Sequence, residues 1–275
     1  MIEQYFSEKE NDSQKYDFSF ISITEDKPKD EELICELQKA ILRAYRDPKF
    51  LQHKRQNLDR AGLENYILKN VIPNAITNCD FSVRYGDFGE VFASLIIEYI
   101  QGKKTFHKLR WKYNSNKSVF GTDILAFDSL NNPKKITYYE VKTRKKALNK
   151  EKNEFITVIA YKSLEKDMLS DTETILDFMS RFYFETHEYE KSDRFSDLVD
   201  GASTVDKSYE IFVITDSNVL SKNYQQLLSE LHSIHKKISP LSVTFVFIDN
   251  LKELMTDTWN TIVKNGAEFI EMDVL

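Results

Sequence analysis

A chain of 275 residues, 41% hydrophobic and 13% aromatic, can bury one large core and carry an elaboration besides. Its opening residues lack a basic start followed by an apolar stretch, and its longest apolar run, around Leu95 to Ile100, is broken by Glu98, so neither export nor a membrane span is expected. The two cysteines, Cys35 and Cys79, have no second Cys or His at ligand spacing, which argues against zinc or a disulfide framework and for a reducing cytoplasm, while the net charge of −6 speaks at first against a nucleic-acid partner.

Along the chain, Tyr16 to Thr24 alternates as a strand does, and Asp30 opens a helix with Leu33, Leu37, Ile41 and Tyr45 at helical spacing. More helix follows to about Ile76, so residues 1–80 read as a mainly helical N-terminal extension and residues 81–275 as the principal domain. From Asp87 to Gln101 the residues Phe88, Phe92, Leu95, Ile96 and Tyr99 share one helical face, with Gly102 as terminator. Three strand-like runs come next, Thr105 to Tyr113, Val119 to Phe127 and Ile136 to Thr143, which predict an antiparallel meander with Asn131-Asn132-Pro133 as the last loop. Residues 163–200 read as a helical insertion, including a capping box of Ser170 with Glu173. Tyr209 to Thr215 and Leu241 to Ile248 are continuous apolar runs around an amphipathic helix from Lys222 to Lys237, a pattern that implies a parallel pair; a last helix spans Lys252 to Lys264. The expected fold is an α/β mixed sheet flanked by helices.

Charge is distributed unevenly. Residues 101–152 hold fourteen Lys and Arg against four Asp and Glu, so the rest of the chain carries 24 basic and 40 acidic residues. Within this basic band lies Glu140-Val141-Lys142, at the end of a run rich in β-branched and aromatic residues. Side chains two apart on a strand share a face, so Glu140 and Lys142 project together. A second Glu-x-Lys, at Glu25 and Lys27, precedes Pro28 in a polar stretch and reads as a loop. If the hairpin closes symmetrically about Asn131 and Asn132, Asp123 lies opposite Glu140, with Cβ atoms roughly 4.5 to 5.5 Å apart, where two carboxylates repel unless a cation lies between them. Gly121, on the same face, leaves room beside them. Glu90 belongs to a polar stripe with Asp87, Ser94, Glu98 and Gln101, and periodicity alone favours a solvent-facing stripe.

The order of these residues resembles a known family. Gly86, Gly89 and Glu90 on a helix, Gly121-Thr122-Asp123 on a strand and Glu140-Val141-Lys142 on the next resemble the core of the PD-(D/E)xK nucleases over about residues 81–275, with Gly-Thr-Asp in place of Pro-Asp. More narrowly, chain length, the flanking Arg84-Tyr85-Gly86-Asp87-Phe88-Gly89-Glu90 and Tyr138 to Arg144, and the trailing strand-helix-strand resemble the HamA family of Hachiman anti-phage defence systems. The resemblance implies a restriction-endonuclease-like fold and an endodeoxyribonuclease that cuts DNA with Mg²⁺ or Mn²⁺, partnered by a HamB-like helicase. Asp123, Glu140 and Glu90 would be its metal ligands and Lys142 its catalytic lysine. Lys103, Lys104, Arg144, Lys145 and Lys146 would follow the DNA backbone. The alternative is a catalytically silent nucleic-acid-binding or regulatory subunit of a helicase complex.

Overall fold

The hydrophobic alternation resolves, in a computed structural model describing residues 2–9, 15–73, 78–106, 108–112, 115, 121–149, 153–168, 172–201 and 204–275, into a seven-stranded mixed sheet with helices on both faces. Its strands are β1 (Phe6–Lys9), β2 (Ser19–Glu25), β3 (Lys104–Phe106), β4 (Ile124–Phe127), β5 (Lys135–Arg144), β8 (Asp206–Asp216) and β9 (Leu241–Ile248). The two short strands β6 (Leu148–Asn149) and β7 (Glu154–Phe155) form a separate ribbon. The order across the large sheet is β1-β2-β9-β8-β5-β4-β3. Strands β2, β9, β8 and β5 run parallel, and β5, β4 and β3 form the expected antiparallel meander.

The helices are α1 (Glu31–Tyr45), α2 (Pro48–Arg55), α3 (Arg60–Tyr66), α4 (Asn78–Tyr99), α5 (Ile156–Met168), α6 (Thr172–Glu185), α7 (Tyr189–Val199), α8 (Asn218–Ile234) and α9 (Leu251–Met272). Asp30 caps α1 by accepting from the Leu33 amide at 3.0 Å, as the sequence predicts. Two apolar clusters divide the core between the faces of the sheet. One packs Leu37, Ile41, Phe88, Phe92 and Ile262 of α1, α4 and α9 onto Tyr139, Val141 and Phe212; the other packs Ala160, Met179, Phe195 and Leu228 of α5 to α8 onto Tyr138, Ile211 and Phe245.

Several elements depart from the sequence reading. The helix expected from Asp87 already begins at Asn78. Gly86 and Gly89 cost it helix propensity, yet the space at Gly89 is what admits β5. The strand expected from Thr105 to Tyr113 ends at Phe106 and gives way to a 3₁₀ turn over Lys108–Trp111, tied by the Lys112 amide donating to the Leu109 carbonyl at 3.2 Å. In sequence, polar residues alternating with Leu109 and Trp111 imitate a strand. The strand expected from Val119 starts at Ile124; Tyr113, Val119 and the capping residue Ser170 lie outside the described residues. Residues 1–80 contribute α1 to α3 and also β1 and β2, which join the sheet beside β9, so strand pairing and one buried cluster both cross the expected boundary near residue 80. No helix among the described residues is long and apolar enough to cross a membrane.

Candidate active site

Unequal strand lengths create an opening in the sheet. Residues 136–139 of β5 pair with β4 in the register expected from the symmetric hairpin, Ile124 opposite Tyr139 and Phe127 opposite Ile136. On its other edge β5 stays paired with β8 through Arg144. Beyond Tyr139 the β4 side is therefore vacated, and the Val141 amide, deprived of a strand partner there, donates instead to Asp123 Oδ2 at 2.8 Å. Gly121, at φ +93°, makes the turn that brings Asp123 there, a conformation side chains with a Cβ seldom adopt. A cleft of about 510 Å³ opens in this gap, lined by Tyr85, Gly86 and Glu90 of α4, by Asp123, and by Val141 to Lys145. Helix α4 lies close because Gly89 faces Thr143; a Cβ there would fall on the Thr143 hydroxyl.

The sequence-predicted residues converge here with different environments. Glu90, Asp123 and Lys142 line the cleft, and Glu140 lies behind it, 2% exposed, accepting from the Lys142 ammonium. Burial pushes the Glu140 carboxyl up to about 7, aided by the Asp123 charge and opposed by Lys142 and a hydrogen bond from Ser163 of α5. Burial likewise pushes Glu90 up to about 8, with Lys108 opposing and Asp123 adding to the rise. The stripe expected to face solvent is instead a polar seam between α4 and its neighbours. Asp87 meets the buried Lys112, Glu90 meets Lys108, the Ser94 hydroxyl donates to the Glu90 carbonyl at 2.9 Å, Glu98 accepts from the Thr105 amide at 3.2 Å, and Gln101 donates to Glu210 at 2.9 Å.

Lys108 is the residue that sequence reasoning missed. Its ammonium lies 3.3 Å from Asp123 Oδ1, 3.9 Å from Glu90 Oε1, 3.0 Å from the Thr122 carbonyl and 3.4 Å from that of Gly121. Burial works against its charge, but Glu90, Asp123 and the hydrogen bond to Asp123 keep its pKa above the ordinary lysine value. Nothing in the sequence separates it from the other basic residues of the band. A second buried group holds the turn that carries it: Lys112 donates to both oxygens of Asp87 at 2.6 Å, and Asp87 also accepts from the Tyr45 hydroxyl.

The five basic residues expected along DNA divide. Arg144 and Lys145 line the cleft, Lys104 and Lys146 are exposed, and Lys103 turns inward to the Tyr139 hydroxyl, with Glu210 at 3.6 Å. Among the described residues no three His, Cys, Asp or Glu side chains converge as a ready metal cage. The donors around Lys108 are nevertheless carboxylate and carbonyl oxygens, the set that suits a hard divalent cation such as Mg²⁺ or Mn²⁺ and suits zinc poorly. The chain matches the HamA family over residues 1–258, and no curated protein matches it.

Proposed function

Since this chain belongs to the HamA family and so to Hachiman anti-phage defence, we propose that it is a metal-dependent nuclease of the PD-(D/E)xK type that hydrolyses DNA phosphodiester bonds in concert with a helicase subunit. The observation that carries this reading is the convergence of Glu90, Asp123 and Lys142 on one cleft at the break between β4 and β5, with Glu140 immediately behind. A divalent ion bound there would neutralise phosphate charge and acidify a water. Asp123 and Glu140 are the ligands this arrangement offers, and Glu90 reaches the same place from α4. Lys142, released from Glu140, would orient the attacking water and steady the negative charge that develops on the phosphate. Arg144 and Lys145, on the rim, hold the DNA backbone by charge without reading bases.

The test uses the purified chain, alone and with the helicase encoded beside it, on plasmid and linear DNA in Mg²⁺ or in EDTA. The expected result is cutting that EDTA stops and that Glu140→Ala and Lys142→Ala each reduce by roughly a hundredfold or more, while circular dichroism shows both variants folded. Full activity in either variant refutes the site. DNA binding without cutting, in the presence of the helicase, supports the silent-subunit alternative, which the direct Lys142–Glu140 pair favours.

A further inference from the structure

We propose that the Lys108 ammonium is the resident cation of the carboxylate cluster and is exchanged for the divalent metal, so that metal affinity is set by competition with this side chain. The inference rests on the reading of the cleft as a metal site.

The geometry is that of a cation already bound. Two carboxylates and two backbone carbonyls surround Nζ at 3.0 to 3.9 Å, and the Lys108 side chain is 14% exposed. These are the donor classes that a hard divalent ion selects, but Mg²⁺ requires oxygens at about 2.0 to 2.1 Å. The same carboxylates cannot close on such an ion while an ammonium occupies their focus, because the two cations repel across a half-buried space where charge is poorly screened. Glu90 and Asp123 with no cation between them would repel one another; Lys108 removes that repulsion when no metal is present.

The structure also separates what is fixed from what can leave. The turn is anchored just after Lys108: Leu109 is buried in the core, Arg110 donates to the Arg43 carbonyl at 3.0 Å and pairs with Asp47 at 3.5 Å, and Lys112 is buried against Asp87. Among the described residues, the Lys108 side chain is held by these oxygens and by no such anchor. Its flexible four-carbon stem can retract without moving the turn, which would carry the ammonium away from these oxygens.

Isothermal titration of Mn²⁺ into metal-depleted wild type, Lys108→Met and Lys108→Arg tests this, together with thermal melts of each in EDTA. A neighbouring unit charge alters a carboxylate's affinity for a cation by about ten- to a thousandfold. Lys108→Met should therefore bind Mn²⁺ at least about tenfold more tightly than wild type and melt at a lower temperature in EDTA. Lys108→Arg, which keeps the charge, should remain near wild type in both. Lys108→Gln substitutes for the Met variant should that one fail to fold. Binding to wild type and Lys108→Met with equal affinity, or more weakly to the variant, overturns the competition while leaving the metal reading intact. Failure of both to bind Mn²⁺ overturns the competition and the metal-dependent function together.

Discussion

Gly89 is the point at which α4 touches β5, and Gly89→Ala measures how far the site depends on that contact. Inside a helix the change from glycine to alanine is ordinarily worth about 0.5 to 1 kcal/mol in favour of the variant. Here the added methyl would collide with the Thr143 hydroxyl, lie 3.0 Å from Thr143 Cβ and 3.7 Å from Val141 Cγ1. Overpacking of this kind costs about 1 to 3 kcal/mol, which leaves a net loss of up to about 2.5 kcal/mol, and the direct collision with a side-chain atom close to the backbone places this site in the upper half of that range, with the midpoint falling by about 2 to 4 °C per kcal/mol. The Thr143 hydroxyl has no hydrogen-bond partner among the described residues, so Thr143→Ala alone should cost little. The double variant should recover about 1 kcal/mol of the single variant's loss, a coupling that urea denaturation of all four proteins resolves. Glu90 follows Gly89 directly, so an outward shift of α4 should also weaken Mn²⁺ binding in Gly89→Ala and restore it in the double variant. A Gly89→Ala protein as stable as wild type, or a double variant no better than the single, refutes the close-approach argument.

In EDTA, the stability difference between wild type and the Glu90→Gln/Glu140→Gln double variant should move against wild type as pH rises. Both carboxyls bind their proton more tightly folded than unfolded, from 4.5 up to about 8 and about 7, so their contribution is complete below about 4.5 and is lost as pH passes through 7 to 8. Taking the difference cancels the other carboxylates, and a flat or opposite trend in melts from pH 4.5 to 8.5 rejects the assignment. Asp87→Asn leaves the buried Lys112 ammonium, 1% exposed, without its counter-charge and should cost about 3 to 5 kcal/mol in chemical denaturation. A loss under about 1 kcal/mol would show that the pair does not hold the turn.

What was legible in the sequence follows from which signals are local. The register about the Asn131–Asn132 loop depends on a period of two and a short symmetric turn, and both survive into the β4–β5 pairing from Ile124–Tyr139 to Phe127–Ile136. The pairing stops one residue short of Asp123 and Glu140, so the expected direct opposition of the two carboxylates is not formed as a strand pair, and Asp123 accepts from the Val141 amide instead. The length of β4 is not legible in this way, because alternation continues through Val119 to Phe127 whether or not a partner strand is present, and here the described strand starts only at Ile124. The same limitation reversed the α4 stripe. Its polar residues repeat at helical spacing, as a solvent-facing stripe would, but what they face is set by partners remote in sequence: Lys112 for Asp87, Lys108 for Glu90, Glu210 for Gln101. Glu25 departs from its loop-like sequence context: it is the last residue of β2, opposite Phe6 of β1, and accepts from the Asp249 amide at 2.9 Å, and it is not among the residues that line the cleft.

Lys108 also changes how the basic band within an acidic chain is understood. As a sum, fourteen positive charges in residues 101–152 suggest a surface for an anionic polymer, yet Lys103, Lys108 and Lys112 each turn inward onto a carboxylate. Only part of the band, including Lys104, Arg144, Lys145 and Lys146, is left outside to meet phosphate. The inward lysines do electrostatic work of another kind. With Glu90, Asp123 and Glu140 all ionised, Lys108 and Lys142 leave the cluster one net negative charge, and the raised proton affinities of Glu90 and Glu140 reduce even that near neutral pH. Such a cluster neither repels DNA strongly nor draws it in. Adding a divalent charge while the retracted Lys108 stays on the same turn would make the same residues net positive, so the proposed exchange would couple metal entry to attraction of the phosphate that is to be cut.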